Sequence, residues 1–395
     1  MNALHLSAEL KNKNFSNASN ESDKIKLRAT SASTVWKNPK IYVEKVAKPI
    51  PGPRDLLLKI SYCGICGSDF HLAQNNTAGN LFYPGLLSLP NIIGHEFSGI
   101  ISEHGENLSA KEKAALPLGT PVTAEEMLWC GECNACRAGH VNHCENLEEI
   151  GFTINGAHAE YLKIGYKYCW SLQSLAEKFG LEQALQRGAL VEPYAVAYRA
   201  LFQGAHNSTW LPGNTILIFG AGPIGLATID LAKAAGATKI GVIEIQPDRR
   251  ELAKKFGATA TTSALNIAEL KNWAMSWTEN KNIDWIVDAA GATDLASGLS
   301  GELLAIGGSL CLLARTDEEG ALNSEALITK NTKIFGSQGH SGQSAFPRII
   351  SLMSSGLIHP EMMIERIVSI DEAQKILQNQ KKFAGKILEQ PSLEA

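Results

Sequence analysis

The stretch Thr215-Ile216-Leu217-Ile218-Phe219-Gly220-Ala221-Gly222-Pro223-Ile224-Gly225 narrows most sharply what this chain can fold into. A short apolar run ends on three spaced glycines, and a helical pattern over 226–235 follows at once. This is the strand–turn–helix context in which G-x-G-x-x-G binds a dinucleotide. Gly220 permits the tight turn, Gly222 lets a pyrophosphate approach the backbone, and Gly225 lets helix and strand pack closely. Pro223 and Ile224 complete the cofactor-binding motif, and the diphosphate would rest on the N-terminus of the helix that follows. Further apolar runs at Lys239–Ile243, Ile283–Ala289, Gly308–Leu313 and Thr332–Gly336 continue the alternation, so an α/β, doubly wound parallel sheet is expected. The second run ends in Glu244, where an acid accepts both ribose hydroxyls. A carboxylate there repels a 2′-phosphate, which favours NAD over NADP. Arg249 either stacks on the adenine side or pairs with Glu244, and nearby Arg250 keeps NADP in play.

That sheet accounts for less than half of 395 residues, so a second domain is expected. Residues 30–62 alternate β-rich runs (Ile41–Val46, Leu56–Tyr62) with the Pro/Gly punctuation of Pro49–Pro53, the texture of a mostly β domain. Later runs at Ile364–Ser369 and Lys386–Leu388 exceed what the nucleotide domain needs and return to the β domain. A formal net charge of −4 argues against nucleic acid or anionic membrane as a partner. No apolar run reaches the roughly 20 residues of a membrane span. The N-terminus has a short strand at Ala3–Leu6, then the polar insertion Lys11–Ser22, and no signal-peptide pattern. A cytoplasmic protein is expected.

Eight cysteines are unevenly spread. Cys169 and Cys311 stand alone among apolar neighbours as small buried hydrophobes. Cys130-x2-Cys133-x2-Cys136-x7-Cys144 is the most specific local pattern. Four thiolates close a tetrahedral site with no open position, so this metal is structural. The lobe, about 127–149, has too little apolar content to fold without it. Iron–sulfur spacing would require an x3-Cys-Pro continuation that is absent. A nucleic-acid ribbon would want basic residues, yet Glu132, Glu145, Glu148 and Glu149 face a single Arg137.

Cys63-x2-Cys66 has the spacing of a redox pair but lacks the helical context of one. The better reading has Cys66 ligating and Cys63 packing. His95, in Gly94-His95-Glu96, and Glu192, in Leu190-Val191-Glu192-Pro193, come from distant segments. Brought together with Cys66, they would make a three-ligand zinc site of the open, catalytic kind. Each alone has a plainer role, a structural imidazole or an acid at a helix start. Glu96 would stand behind the site or act as a transient ligand. Ser68 and His71 are close enough in sequence to pass a proton from the site to solvent. Otherwise Ser68 caps a helix and His71 lies on the surface.

Taken together, Gly64-Ile65-Cys66-Gly67-Ser68-Asp69 with His71, Gly94-His95-Glu96, the four-cysteine lobe, Val191-Glu192-Pro193 and Gly220–Gly225 resemble the zinc-containing medium-chain dehydrogenase/reductase family, in its sorbitol and threonine dehydrogenase branch. The resemblance covers nearly the whole chain. It implies a GroES-like catalytic domain (1–193 and 337–395), a Rossmann domain (194–336) and an active site in the cleft between them. It also implies catalytic zinc on Cys66, His95 and Glu192, and a dimer or tetramer. Ala124–Gly131, Gly336–Gly342 and Phe346-Pro347-Arg348 resemble cyclitol-oxidising members more narrowly. The expected activity is NAD-dependent oxidation of a secondary alcohol on a polyol or cyclitol, with two zinc ions per chain. Gln338 and His340 either contact substrate hydroxyls or serve loop hydrogen bonds. An acyclic substrate of the sorbitol or threonine type is the alternative. A non-catalytic nucleotide-binding protein is a third, and the intact ligand set argues against it. The chain departs from the family pattern in the insertion Lys11–Ser22 and in a longer segment, Glu106–Leu118.

Overall fold

The computed structural model describes residues 1–10, 35–83, 85–203, 209–316 and 319–393. The insertion Lys11–Ser22 lies outside the described residues. The chain divides into two compact units, Met1–Glu192 with Arg366–Ala395, and Pro193–Glu365. The segment 337–365, expected to belong with the β domain, packs instead in the second unit. Its helix Ala345–Ser355 buries Ala345, Phe346, Ile349, Ile350 and Met353 on one face, an amphipathic stripe that needs a partner surface.

In the first unit, a sheet orders Cys169–Ser171, Pro121–Ala124, Glu96–His104, Asp55–Gly64, Lys386–Glu389 and Ile364–Val368, and Tyr161–Gly165 also pairs with Asp55–Gly64. A smaller sheet orders Trp36–Lys45, Asn2–Leu10 and Asn91–Ile92. The first strand is thus longer than Ala3–Leu6. Strand Asp55–Gly64 is central and delivers Cys63 and then Cys66 at its end. Its antiparallel neighbour starts at Glu96, so Gly64 lies opposite Glu96 and Cys63 opposite Phe97. The C-terminal strand adds Glu389 opposite Cys63. A core of Leu56, Leu58, Ile60, Phe97, Ile101, Val122, Leu162 and Ile164 fixes this register, because slipping one residue would turn every apolar side chain to the wrong face. The longer segment Glu106–Leu118 contains the helix Ala110–Ala115, capped by a reciprocal Ser109–Glu112 box.

The second unit holds a six-stranded sheet in the order Ala260–Thr262, Lys239–Ile243, Thr215–Phe219, Ile283–Asp288, Leu304–Leu312, Lys333–Gly336. Its pairings are parallel, with helices between successive strands. This is the doubly wound order, with the chain reversing direction across the sheet beside Thr215–Phe219. Two expected strands have the expected limits, Thr215–Phe219 and Lys239–Ile243. The edge strand Ala260–Thr262 was not anticipated. It is only three residues long and none of its side chains is fully buried, so it carries little periodic signal.

Candidate functional site

The helix Gly67–Leu72 starts at Cys66. The Asp69 carboxylate folds back to accept the Cys66 amide at 2.8 Å, which fixes the thiol at the helix entrance. Gly94 turns the chain with φ +96°, a conformation that favours glycine, and His95 follows it into the interior. Glu96 lies across from Gly64, where any Cβ would collide with the carboxylate. The outcome is a group of Cys66, His95 and Glu96 whose ligand atoms lie within 4.8 Å of one another.

Behind this group, Asp69 Oδ1 faces His95 Nδ1 at 3.9 Å. Both atoms are buried and neither has a hydrogen-bond partner, so each is the other's nearest match in charge. That pairing leaves His95 Nε2 for a metal, the arrangement in which a carboxylate orients a ligating imidazole. Nε2 lies 3.4 Å from Ser68 Oγ, and the ring packs 4.8 Å from that of Phe152. Burial pushes the His95 pKa down, but Cys66, Asp69 and Glu192 outweigh it and raise it well above the usual range. So dense a set of anions around one buried histidine fits a cation, and thiolate, imidazole and carboxylate are the donor set of catalytic zinc.

Glu192 is not in the triple with Cys66 and His95. It sits in the first turn of helix Val191–Phe202, buried, and reaches His95 through its charge. Its carboxylate lies within 4.8 Å of that of Glu126, also buried. His71 follows Ser68 by three residues, the spacing that puts both on one helix face. It packs edge-on against Phe82, and burial together with Lys382 lowers its pKa.

Several residues at this site were assigned no part by their sequence positions. Lys386 is fully buried; its Nζ donates to Glu96 Oε1 at 2.6 Å, pairs with Oε2, and donates to Ile65 O at 3.0 Å. Burial lowers its pKa, but Glu96, Cys66 and Glu192 more than compensate and keep it above the ordinary 10.5. Asp69, His158, Glu389 and Glu126 complete the buried charges. The available signal was a charged residue inside an apolar run, as in Lys386-Ile387-Leu388.

The structure brings the four cysteines of the lobe together. All four sulfurs lie within 4.8 Å of one another, with Cys130–Cys144 at 3.5 Å, Cys133–Cys144 at 3.9 Å and Cys130–Cys136 at 4.0 Å. These are far beyond a disulfide's roughly 2.05 Å. They match the separation of about 3.8 Å set by a tetrahedron with metal–sulfur bonds of about 2.3 Å. Amides of Glu132 and Cys133 point at Cys130 Sγ and lower its pKa to about 6. Burial raises Cys136 to about 12. Four thiolates this close need a dication to ionise together.

In the second unit, Gly220 has φ +89° and its amide donates to Ile243 O at 2.8 Å. A Cβ on Gly225 would collide with Gly220 O, whereas one on Gly222 would meet open space. The turn is therefore closed on its sheet side and approachable at Gly222. Pro223 is the first residue of helix Pro223–Ala234. Buried Glu244 accepts from Ala221 N at 2.9 Å and Gln246 N at 2.8 Å, which clamps it against the turn. Arg250 Nη1 donates to the carbonyls of Glu244 (2.7 Å) and Ile245 (2.8 Å); Arg249 is half-buried. Gln338 is exposed, and His340 is fully buried, 5.1 Å from the Phe346 ring.

This fold and these donors define a class, and direct comparison agrees. The alcohol dehydrogenase GroES-like domain matches residues 52–174, and the zinc-binding dehydrogenase domain matches 223–355. The chain belongs to the zinc-containing medium-chain dehydrogenase family and is an oxidoreductase. It is 39% identical over 348 residues to scyllo-inosose 3-dehydrogenase from Thermotoga maritima, covering 86% of this chain and 87% of that one. It is 30% identical over 346 residues to D-xylulose reductase A from Aspergillus niger, covering 86% and 90%. A solved Thermotoga maritima structure, provisionally assigned as an alcohol dehydrogenase, superposes with a TM-score of 0.88 at 35% identity over 98% of this chain and 99% of that one. Among the described residues no helix is long and apolar enough to cross a membrane.

Proposed function

We propose that this enzyme oxidises a secondary alcohol of a cyclitol or related polyol to a ketone, with NAD as hydride acceptor, at a zinc held by Cys66 and His95. The observation that carries this is the buried group of Cys66, His95 and Glu96, backed by Asp69, in a chain resembling scyllo-inosose 3-dehydrogenase. Glu96 and Glu192 share the remaining ligand role, and the ion pair with Lys386 restrains Glu96. The four-cysteine lobe would hold a second, structural zinc.

Zinc, when bound, supplies Lewis acidity that brings an alcohol's pKa toward neutrality. The protein's own groups do the rest. Asp69 holds the His95 ring with Nε2 toward Cys66 and Ser68. Ser68 accepts the substrate proton and passes it toward His71, whose lowered pKa keeps it neutral and able to accept. Glu244, clamped beside the glycine turn, accepts the ribose hydroxyls. Arg250 Nη1 is engaged by backbone carbonyls, and the Glu244 carboxylate opposes a 2′-phosphate, which supports NAD. The buried carboxylate of Glu126 provides an acceptor for a hydroxyl of the polyol; Gln338 and His340 are further candidates. We expect a cytoplasmic dimer or tetramer, as in the family it belongs to, which light scattering on the purified protein will check.

The test is turnover on inositols, inososes, sugar alcohols and threonine, each with NAD and NADP. Cyclitol oxidation with NAD is expected to dominate. Preference for sorbitol or threonine would move the substrate to the acyclic class, and no dehydrogenation at all would end the reading.

A further inference from the structure

A second buried cluster adjoins the metal group and takes no part in the chemistry above. Cys63, His158 and Glu389 are wholly buried, with ligand-type atoms within 4.8 Å of one another. Glu389 Oε2 lies 2.9 Å from His158 Nδ1. The other ring nitrogen, Nε2, lies 3.8 Å from Asp69 Oδ2 and 3.9 Å from Cys63 Sγ. Asp69 turns its remaining oxygen to His95 Nδ1. Glu389, His158, Asp69 and His95 therefore stand in file.

Glu389 faces Nδ1 while Cys63 and Asp69 face Nε2, so the neighbours are divided between the two ring nitrogens rather than gathered on one. An imidazole between two buried carboxylates is a charge balance. Burial pushes the His158 pKa down, yet Cys63, Asp69 and Glu389 raise it well above the usual range. Asp69, buried as it is, keeps its pKa below the ordinary value through His158 and His95. The ring also abuts the backbone that carries His95. A Cβ on Gly94 would lie 2.6 Å from His158 Cδ2 and 2.8 Å from Cys63 Sγ. Amides of Ala157 and His158 donate to Gly94 O and Ile93 O, each at 2.9 Å.

We propose that His158 and Glu389 are positioning residues for the metal ligand His95: together they hold the Asp69 carboxylate aimed at His95 Nδ1 and brace Gly94. This rests on Cys66 and His95 holding the catalytic metal, and it extends that site two residues deeper into the protein.

The test uses the full-length, zinc-loaded enzyme as wild type, as Glu389→Gln, and as the double variant His158→Phe/Glu389→Leu, which removes the imidazole and its outer carboxylate together. Zinc affinity at the chelatable site is measured by competition with a chromophoric chelator. The visible spectrum of the cobalt-substituted protein reports ligand geometry, and thermal unfolding reports the fold. The double variant is expected to lose about 10–100-fold in zinc affinity, and Glu389→Gln about three- to tenfold, with altered cobalt spectra. A purely structural role would lower thermal stability and leave affinity and spectrum at wild-type values; that result overturns the proposal. If the double variant does not fold, Glu389→Gln decides alone, and unchanged affinity there overturns it equally. Wild type with no chelatable ion, or one that survives Cys66→Ser, would sink the metal reading and this proposal with it. That failure appears without the cluster variants, so the two are distinguishable.

Discussion

Replacing Lys386 with methionine isolates the ion pair at the base of the candidate metal group. Lys386 and Glu96 are each 1% exposed, so screening by solvent does not apply. Removing one partner of such a pair leaves an uncompensated buried charge, at a cost of about 3–5 kcal/mol. The first unit spans 192 + 30 = 222 residues. At roughly 2–4 °C per kcal/mol for that size, the unfolding midpoint of metal-depleted Lys386→Met is expected to fall by about 6–20 °C. The sign with pH follows from the raised Lys386 pKa. The contribution is fully present below the ordinary 10.5 and is lost as pH rises through the higher folded value. The difference between wild type and variant is therefore constant from pH 7 to 9. Adding Glu96→Leu to Lys386→Met removes the stranded charge and should recover most of the loss, since a buried pair and an apolar replacement are close to balanced. The assay is differential scanning calorimetry of chelator-treated protein at two pH values. A single variant as stable as wild type, or a double variant no better than the single, would refute the electrostatic account of Lys386.

Further outcomes follow from the same structure. Cys144→Ser should release one zinc per chain and expose 130–149 to proteolysis while the chelatable ion at Cys66 stays, as read by metal analysis and limited digestion. Glu244→Gln should weaken NAD about 10-fold and narrow the preference over NADP, measured as the ratio of kcat/KM values, because the charge that rejects a 2′-phosphate is gone. Gly225→Ala forces a Cβ onto Gly220 O. It should abolish dinucleotide binding or folding of the second unit, whereas Gly222→Ala, with open space around its Cβ, should fold and weaken only the dinucleotide, as fluorescence titration would record.

Much of this molecule is written in local pattern. Thr215–Phe219 and Lys239–Ile243 are continuous apolar runs closed by a glycine turn and by an acid, so their limits are readable from neighbouring residues. The cysteine lobe is legible because its four ligands fall within 15 residues and exclude the rival chemistries by spacing. The candidate site is only half legible. Cys66 and His95 announce themselves through their motifs, but their supports come from far along the chain. Lys386 reaches Glu96 across 290 residues and Glu389 reaches His158 across 231. Only the antiparallel placement of the C-terminal strand beside Asp55–Gly64 brings them in, and pairing of that range leaves no periodic trace. The motif Gly94-His95-Glu96 leaves Glu96 either behind the site or as a transient ligand; strand register, which puts Glu96 opposite Gly64, sets it within 4.8 Å of Cys66 and His95. The domain boundary moved because helix Ala345–Ser355 carries an apolar face that the sequence cannot assign to one unit or the other.

A zinc-edge anomalous difference map of crystals of the enzyme shows directly whether Cys66 and His95 hold a metal. Two peaks per chain are expected. One lies among the four cysteine sulfurs, and the other lies about 2.3 Å from Cys66 Sγ and about 2.0–2.1 Å from His95 Nε2. An active enzyme whose map shows density in the cysteine lobe and none beside Cys66 and His95 would contradict it.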